Sequence, residues 1–183
     1  AHPVYPELHR IRALRQVGID VLVGELGGFV QSEANLSQDR DEAWLYGDSV
    51  SRDDARVCDG ARLYDQAMAQ DLALVSGSST MHDNAVACDN AILTAGCIRN
   101  EAIVCGNARV RENTITHASP VVTGQGVVMG DISGCIVVFE QGFVLPGQTI
   151  DNPIRDLIGI SDRTVAIAWN RGRQNHFRNT PER

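Results

Sequence analysis

Two histidines in the middle of the sequence, His82 and His117, carry the side chains best suited to proton transfer. An imidazole titrates near neutral pH and is the group that most often serves as a general base in proteins. Tyr46 and Tyr64 precede His82 by 36 and 18 residues, and Asn100 follows it by 18. If the chain coils with a period near 18 residues, these five side chains form one polar strip along its side.

A six-residue repeat supplies such a period. Small residues recur at every sixth position from Ala43 to Cys97, and the series resumes at Ala102 after the loss of one residue. A mostly aliphatic residue stands two positions after each small one, with Arg99 as the exception where the register slips. Residues two apart point to the same side of a strand, and the Gly, Asp and Asn residues that follow tolerate a sharp corner. The repeat therefore predicts a parallel β-helix, an all-β fold.

The size of the helix follows from the repeat. Three sides of six residues make a triangular coil of about 18 residues, so the hexads from Ala43 to about Ile136 predict roughly five coils rising ~4.8 Å each. A pentapeptide solenoid would need a period of five, and an α-solenoid would need helical stripes. Neither alternative fits the spacing.

The flanking segments are expected to cap the coils, because an open end would expose unpaired strand edges. Residues 1–42 form the predicted N-terminal cap, 43–136 the β-helix, 137–169 a C-terminal cap, and 170–183 a basic flexible tail. The C-terminal cap contains a predicted hairpin that turns at 161–163.

Composition limits the class of protein. The formal net charge is −7, and the segment 31–116 accounts for all of it with 14 acidic residues against 7 arginines. Five cysteines form no CxxC pair, so reduced thiols in a cytoplasmic protein are expected. No apolar run has the length of a membrane span, and the first residues lack the pattern of a signal peptide.

The segment "GELGGFVQSEANLSQ" (24–38), followed by "AWLYGDSV" (43–50), resembles the YdcK-like group of bacterial and phage proteins. That group carries a similar glycine-rich motif before a hexapeptide array and is often described as transferases. Its fold is related to those of hexapeptide acyltransferases and γ-class carbonic anhydrases. The resemblance implies a left-handed β-helix and a phage or prophage origin.

The resemblance also supplies a catalytic hypothesis. Transferases of this fold use a histidine as general base beside a neighbouring subunit, which implies an acyltransferase acting at His82 or His117 with acetyl-CoA as donor. Neither histidine has an obvious acidic partner in the sequence. A γ-anhydrase site needs three histidine ligands and the array has two, so no metal is expected. The strip, which continues to Cys135, is more simply a row of exposed corner side chains.

The acidic corner residues allow two interpretations. An aspartate at a turn satisfies its own backbone, which explains most of them. A rod bearing regular aspartates could also bind a protein or mimic the charge of a nucleic acid. The residues concerned are Asp53, Asp59, Asp65, Asp71, Asp83 and Asp89.

The cysteines are expected to be structural. Cys88 and Cys105 occupy corresponding positions in adjacent coils and should stack, which is more typical of packing than of redox chemistry. Cys97 falls in the small, inward series and should be an inert core residue.

The preferred hypothesis is a non-catalytic protein-binding or scaffolding solenoid without a cofactor. Its partner would contact a flat face bearing Tyr46, Tyr64, Asn100 and the corner aspartates. A homo-oligomer, either a trimer or a dimer, is a further expectation, and a nucleic-acid ligand is not expected. The acyltransferase is the alternative, and the acidic nucleic-acid mimic is the third hypothesis.

Overall fold

The computed structural model describes residues 4–39 and 42–162, together with the backbone of the strands Thr164–Asn170 and Arg173–His176. These residues contain one short 3-10 turn (Glu33–Asn35) and are otherwise built of strands, bends and corners. No helix in these residues is long and apolar enough to span a membrane.

The strands are short and follow one another at regular intervals. In chain order they are β1 (His9–Arg12), β2 (Leu26–Val30), β3 (Trp44–Leu45), β4 (Val50–Ser51), β5 (Arg56–Val57), β6 (Arg62–Leu63), β7 (Met68–Ala69), β8 (Leu74–Met81), β9 (Val86–Ala87), β10 (Ile92–Ile98), β11 (Ile103–Val104), β12 (Arg109–Arg111), β13 (Val121–Val122), β14 (Val127–Val128), β15 (Asp131–Gly134), β16 (Ile136–Val138), β17 (Phe143–Val144), β18 (Thr149–Asn152), β19 (Ile158–Ser161), β20 (Thr164–Asn170) and β21 (Arg173–His176).

All of these strands except β1, β20 and β21 stack in parallel on three sides of a solenoid. One side contains β2, β4, β7, β9, β11, β14 and β17 in that order. The other two sides belong to one sheet, because β8 and β10 are long enough to bend around a corner and pair on both. The predicted all-β, parallel coiled architecture is confirmed.

The solenoid has about seven coils, so the prediction of five was too low. The seven parallel strands of the first side run from β2 to β17, whereas the hexads were counted only from Ala43 to about Ile136. The first and last coils pair with their neighbours through backbone hydrogen bonds, which need no particular side chain. Coils at the ends can therefore form without the small-residue signature.

The core has the composition that the repeat predicts. Ala61, Ala67, Ala85 and Ala91 are fully buried, and Ala73 is 1% exposed. The aliphatic positions beside them, which include Leu63, Val75 and Leu93, are also fully buried. Thin layers of alanine and branched aliphatic side chains thus fill the narrow interior, as the scarcity of aromatic residues requires.

Aspartates form the corners, as predicted, but their carboxylates bind the next coil. All six have a left-handed backbone, with φ between 54° and 63°. In one column Asp53 accepts the Asp71 N–H at 3.4 Å, Asp71 accepts the Asp89 N–H at 3.1 Å, and Asp89 accepts the Gly106 N–H at 2.9 Å. The corner aspartates therefore link adjacent coils, in addition to shaping their own turn.

A second corner column is built in the same way. Asp65 accepts the Asp83 N–H at 3.2 Å, and Asp83 accepts the Asn100 N–H at 3.0 Å. Asp59 lies at the third corner, where the Cys58 thiol donates to its carboxylate at 3.3 Å.

The repeat loses its residue one corner earlier than the sequence series indicates. Leu93 pairs with Val75 at an offset of 18, but Ala95 pairs with Ser78 at an offset of 17. The shift lies at Thr94, so Ile98 fills the buried aliphatic position next to Met81. Ile98, and not Arg99, therefore belongs to the aliphatic series, so the series has no exception here.

Cys97 is consequently not a core residue, and that prediction was wrong. Gly96 pairs with Ser79 and takes the small position, while Cys97 pairs with Thr80 and is half-buried.

An insertion interrupts the coils further along. Residues 112–120 separate β12 from β13, so Val122 pairs with Ile98 at an offset of 24. Stepping by six through this segment does not follow the coil. His117 lies on the inserted loop.

The N-terminal cap pairs antiparallel with the first coil through β1 and β2. Within it, the segment 13–25 forms a loop closed at its base by two hydrogen bonds between Ala13 and the 24–25 backbone. Asn35, from the glycine-rich motif, is 1% exposed and ties the cap to the next coil.

At the other end, β19 and β20 form the predicted antiparallel hairpin, with Ser161 opposite Thr164. Strand β21 then pairs with β20. Most of the predicted flexible tail, residues 171–172 and 177–183, lies outside the described residues.

Candidate functional site

Three aromatic rings from successive coils stack on one edge of the solenoid. Tyr46 and Tyr64 have ring centroids 4.6 Å apart with planes inclined by 6°, and Tyr64 and His82 are 4.5 Å apart and inclined by 3°. The three residues, named here the aromatic column, follow β3, β6 and β8 directly. In-register pairing of these strands holds the rings at the coil spacing.

The rest of the predicted strip does not continue this column. Met81 pairs with Ile98, so Arg99 follows His82 and Thr123 follows Arg99. Arg99 donates to the Thr123 hydroxyl at 3.2 Å. Asn100 lies at the adjacent corner with φ 62°, where its side-chain oxygen accepts a hydrogen bond from the same hydroxyl at 2.6 Å.

His117 and Cys135 also lie off the column. His117 lies on the inserted loop, and Cys135 precedes β16 instead of following a strand of that side. The predicted strip lacked Arg99 and Thr123, because the sequence prediction placed the loss of one repeat residue after Cys97. The unexplained arginine in an aliphatic series was the signal that could have located it.

The N-terminal loop reaches the first ring of the column. Asp20 accepts a hydrogen bond from the Tyr46 hydroxyl at 2.8 Å and forms an ion pair with Arg62 at 3.4 Å. Arg62 also contacts Glu42 at 3.2 Å. Burial and the hydrogen bond to Asp20 both raise the pKa of Tyr46, so its hydroxyl stays protonated as a donor.

This loop presents large apolar side chains to solvent. Leu14 is 89% exposed, Ile19 93%, Leu22 63% and Val23 68%. Soluble proteins seldom expose several such residues together without a partner surface. Because Asp20 contacts Tyr46 and Arg62, the exposed apolar loop adjoins the aromatic column.

The two histidines have different surroundings. Among the described residues, no side chain forms a hydrogen bond with the His82 imidazole, which stacks on Tyr64. The His117 Nδ1 lies 2.6 Å from a carboxylate oxygen of Glu112. The expectation that neither histidine has an acidic partner was therefore wrong for His117, whose partner lies five residues earlier on the same loop.

A polar cluster anchors the loop that carries this pair. Asn113, 5% exposed, accepts the Ile115 and Thr116 N–H groups through its side-chain oxygen and donates to Asp151 at 2.9 Å. Ser133 donates to the same Asp151 oxygen. The hydrogen bond from Ser133 is the largest cause that lowers the pKa of Asp151, and the hydrogen bond from Asn113 is the second. The His117 side chain itself is 78% exposed.

The chain is a parallel β-solenoid with an aromatic column beside an exposed apolar loop. Comparison of its sequence with models of protein families and with curated proteins found no match.

Proposed function

We propose that this chain is a non-catalytic protein-binding solenoid whose partner contacts the aromatic column and the apolar loop 13–25. The observation that carries the proposal is the exposure of Leu14, Ile19, Leu22 and Val23 on a loop that Asp20 fixes against Tyr46. Backbone hydrogen bonds hold this loop in place, so a partner would meet a pre-organised surface.

The composition of the surface supports binding. Tyrosine and arginine are enriched among the residues that dominate protein interfaces, and the column supplies two tyrosines with Arg62 and Arg99 nearby. The rings are already ordered by stacking, so little side-chain freedom is lost when a partner binds.

The test is to replace Ile19 and Leu22 together by serine in the full chain. The partner protein is first recovered with the tagged parent, identified and purified. It should bind the double variant at least about 10-fold more weakly than the parent, because truncation of hot-spot residues typically costs about 2 kcal/mol or more. Binding is measured by calorimetry.

Ile115→Ser is the matched control, since Ile115 is 73% exposed on a different loop. It should leave the affinity unchanged. Equal affinity of parent and double variant for the purified partner would reject the proposal, as would a loss confined to Ile115→Ser.

The second candidate function is an acyltransferase-like activity. The Glu112–His117 pair favours it, because a base oriented by a carboxylate is the usual arrangement for proton transfer. His82 supports it less, since its ring stacks on Tyr64 in place of facing an acid.

Titration of the full chain with acetyl-CoA distinguishes the two candidates. We expect no saturable heat, because the Glu112–His117 pair is exposed on a loop instead of lining an enclosed cleft. Saturable binding that is lost in both His117→Ala and Glu112→Gln would replace the binding function with the enzymatic one.

The acidic nucleic-acid mimic has weaker support. Five of the six corner aspartates accept backbone hydrogen bonds along the solenoid axis, and each column repeats once per coil, about 4.8 Å apart. Duplex DNA carries a charge about every 1.7 Å of its axis, so the spacing fits poorly.

We further propose kinship with the YdcK-like group. In the glycine-rich motif, Gly27 and Gly28 approach the next coil too closely for a side chain, and the buried Asn35 side chain makes four hydrogen bonds with backbone groups, so the residues that carry the resemblance have structural roles. The left-handed coil sense, the phage or prophage origin, the cytoplasmic location and the trimeric or dimeric state stay predictions.

A further inference from the structure

We propose that Cys88, Cys105 and Asp89 form a binding site for a soft divalent cation such as Zn²⁺. One potential ligand atom from each residue, a sulfur or a carboxylate oxygen, lies within 4.8 Å of the other two. Thiolate sulfur and carboxylate oxygen are both established zinc ligands, and three protein ligands leave one position of a tetrahedron for water.

The solenoid itself brings the two cysteines together. Strands β9 and β11 pair in register, with Ala87 opposite Val104, so the residues that follow them face each other across one coil. Cys88 N–H donates to the Val104 carbonyl at 3.0 Å, which fixes the spacing of the two backbones. The sequence prediction that these side chains stack agrees with this register.

The third ligand is held by the corner column. Asp89 has a left-handed backbone, and its Oδ2 accepts the Gly106 N–H at 2.9 Å. Its N–H is in turn bound by Asp71, so the position of Asp89 is determined from both adjacent coils. A second carboxylate oxygen and the remaining lone pairs are available to a cation.

The electrostatic surroundings favour a cation over a free thiolate. Burial first, and then Cys105 and the carboxylates of Asp89 and Asp71, raise the pKa of Cys88 to about 12. Burial and Asp89 also raise the pKa of Cys105. The carboxylates of Asp89 and Asp71 place negative charge beside the two sulfurs, and this charge attracts a divalent cation.

Binding is a ligand exchange that conserves charge and involves no redox step. One hydrated Zn²⁺ releases water ligands as it forms two Zn–S bonds and one Zn–O bond, it keeps one water, and two thiol protons pass to the buffer. The metal would join adjacent coils at the corner that follows β9 and β11, whereas the aromatic column follows β3, β6 and β8. This proposal is therefore independent of the partner-binding proposal.

The test uses Cd²⁺ with the full-length chain, because its sulfur-to-metal absorption reports thiolate ligands and ignores the histidines. The parent should bind one Cd²⁺ with this ultraviolet band and release about two protons, measured by calorimetry in buffers of different protonation enthalpy. Loss of a residue that only supports a metal ligand typically costs about 10- to 100-fold in affinity. Loss of a ligand itself should cost at least as much, so Cys88→Ser and Cys105→Ser should each weaken Cd²⁺ binding by more than about 10-fold.

Cys97→Ser and Cys135→Ser are the matched controls, since both residues are half-buried cysteines elsewhere on the solenoid. Neither should alter the band. Alkylation followed by mass spectrometry gives a second readout on the parent: Cd²⁺ should protect Cys88 and Cys105 together. Absence of the band, its persistence in Cys88→Ser and Cys105→Ser, or protection of other cysteines in their place would overturn the site.

Discussion

Replacement of Asn35 by alanine is expected to destabilise the fold by about 2–4 kcal/mol, because buried groups left without a hydrogen bond cost about 1–3 kcal/mol each. The Asn35 side chain accepts the N–H groups of Gln31 and Ser32 at 3.2 and 2.8 Å. It donates to the carbonyls of Asp53 and Ala55 at 2.9 and 2.8 Å. One amide thus joins the glycine-rich motif to the following coil.

Urea unfolding of the two proteins measures this difference. Asn35→Asp is the informative second variant, because it keeps an accepting oxygen but buries a carboxylate against the carbonyl oxygens of Asp53 and Ala55. It should be less stable than the alanine variant. Asn90→Ala, at an exposed corner, should change the unfolding free energy by less than about 0.5 kcal/mol. Equal effects of Asn35→Ala and Asn90→Ala would show that the buried amide is not a structural tie.

The architecture was predictable because it depends on local rules that repeat. An inward small residue, an aliphatic residue two positions later and a corner aspartate each express a backbone requirement of one coil. Tyr46, Tyr64 and His82 could be aligned correctly because the chain between them keeps an offset of 18. The prediction failed where that offset changed, first at Thr94 and then at the inserted loop.

The surroundings of the column could not be predicted from the repeat. The contact of Asp20 with Tyr46 joins residues 26 apart through the fold of the N-terminal cap, which has no periodic signal. The pairing of Glu112 with His117 depends on how Asn113 shapes the loop, and the anchor of that loop is Asp151 in a later coil. Such contacts follow from tertiary packing and leave no mark in the spacing.

The two adjacent glycines of the motif illustrate a sequence signal with a structural cause. A Cβ atom at Gly27 would lie 2.5 Å from the Leu45 carbonyl oxygen, and one at Gly28 would lie 2.3 Å from the Ser49 carbonyl oxygen. The backbone of β2 therefore approaches the second coil more closely than any side chain permits. The glycines serve this approach, and the hydrogen bond from Phe29 N–H to the Ser49 carbonyl at 2.8 Å depends on it.

Gly28→Ala should accordingly destabilise the protein by about 2–3 kcal/mol, near the upper end of the usual range for overpacking, because the obstructing atoms include backbone that cannot rotate away. Thermal and urea unfolding of the full chain provide the measurement. Gly24→Ala is the matched comparison: its φ of +90° disfavours a side chain, yet no atom lies within 4 Å of the added carbon. Backbone strain alone should cost about 1–2 kcal/mol there. A larger loss in Gly24→Ala than in Gly28→Ala would mean that the left-handed backbone at Gly24 matters more than the close approach at Gly28, and that this approach of the first two coils contributes little to stability.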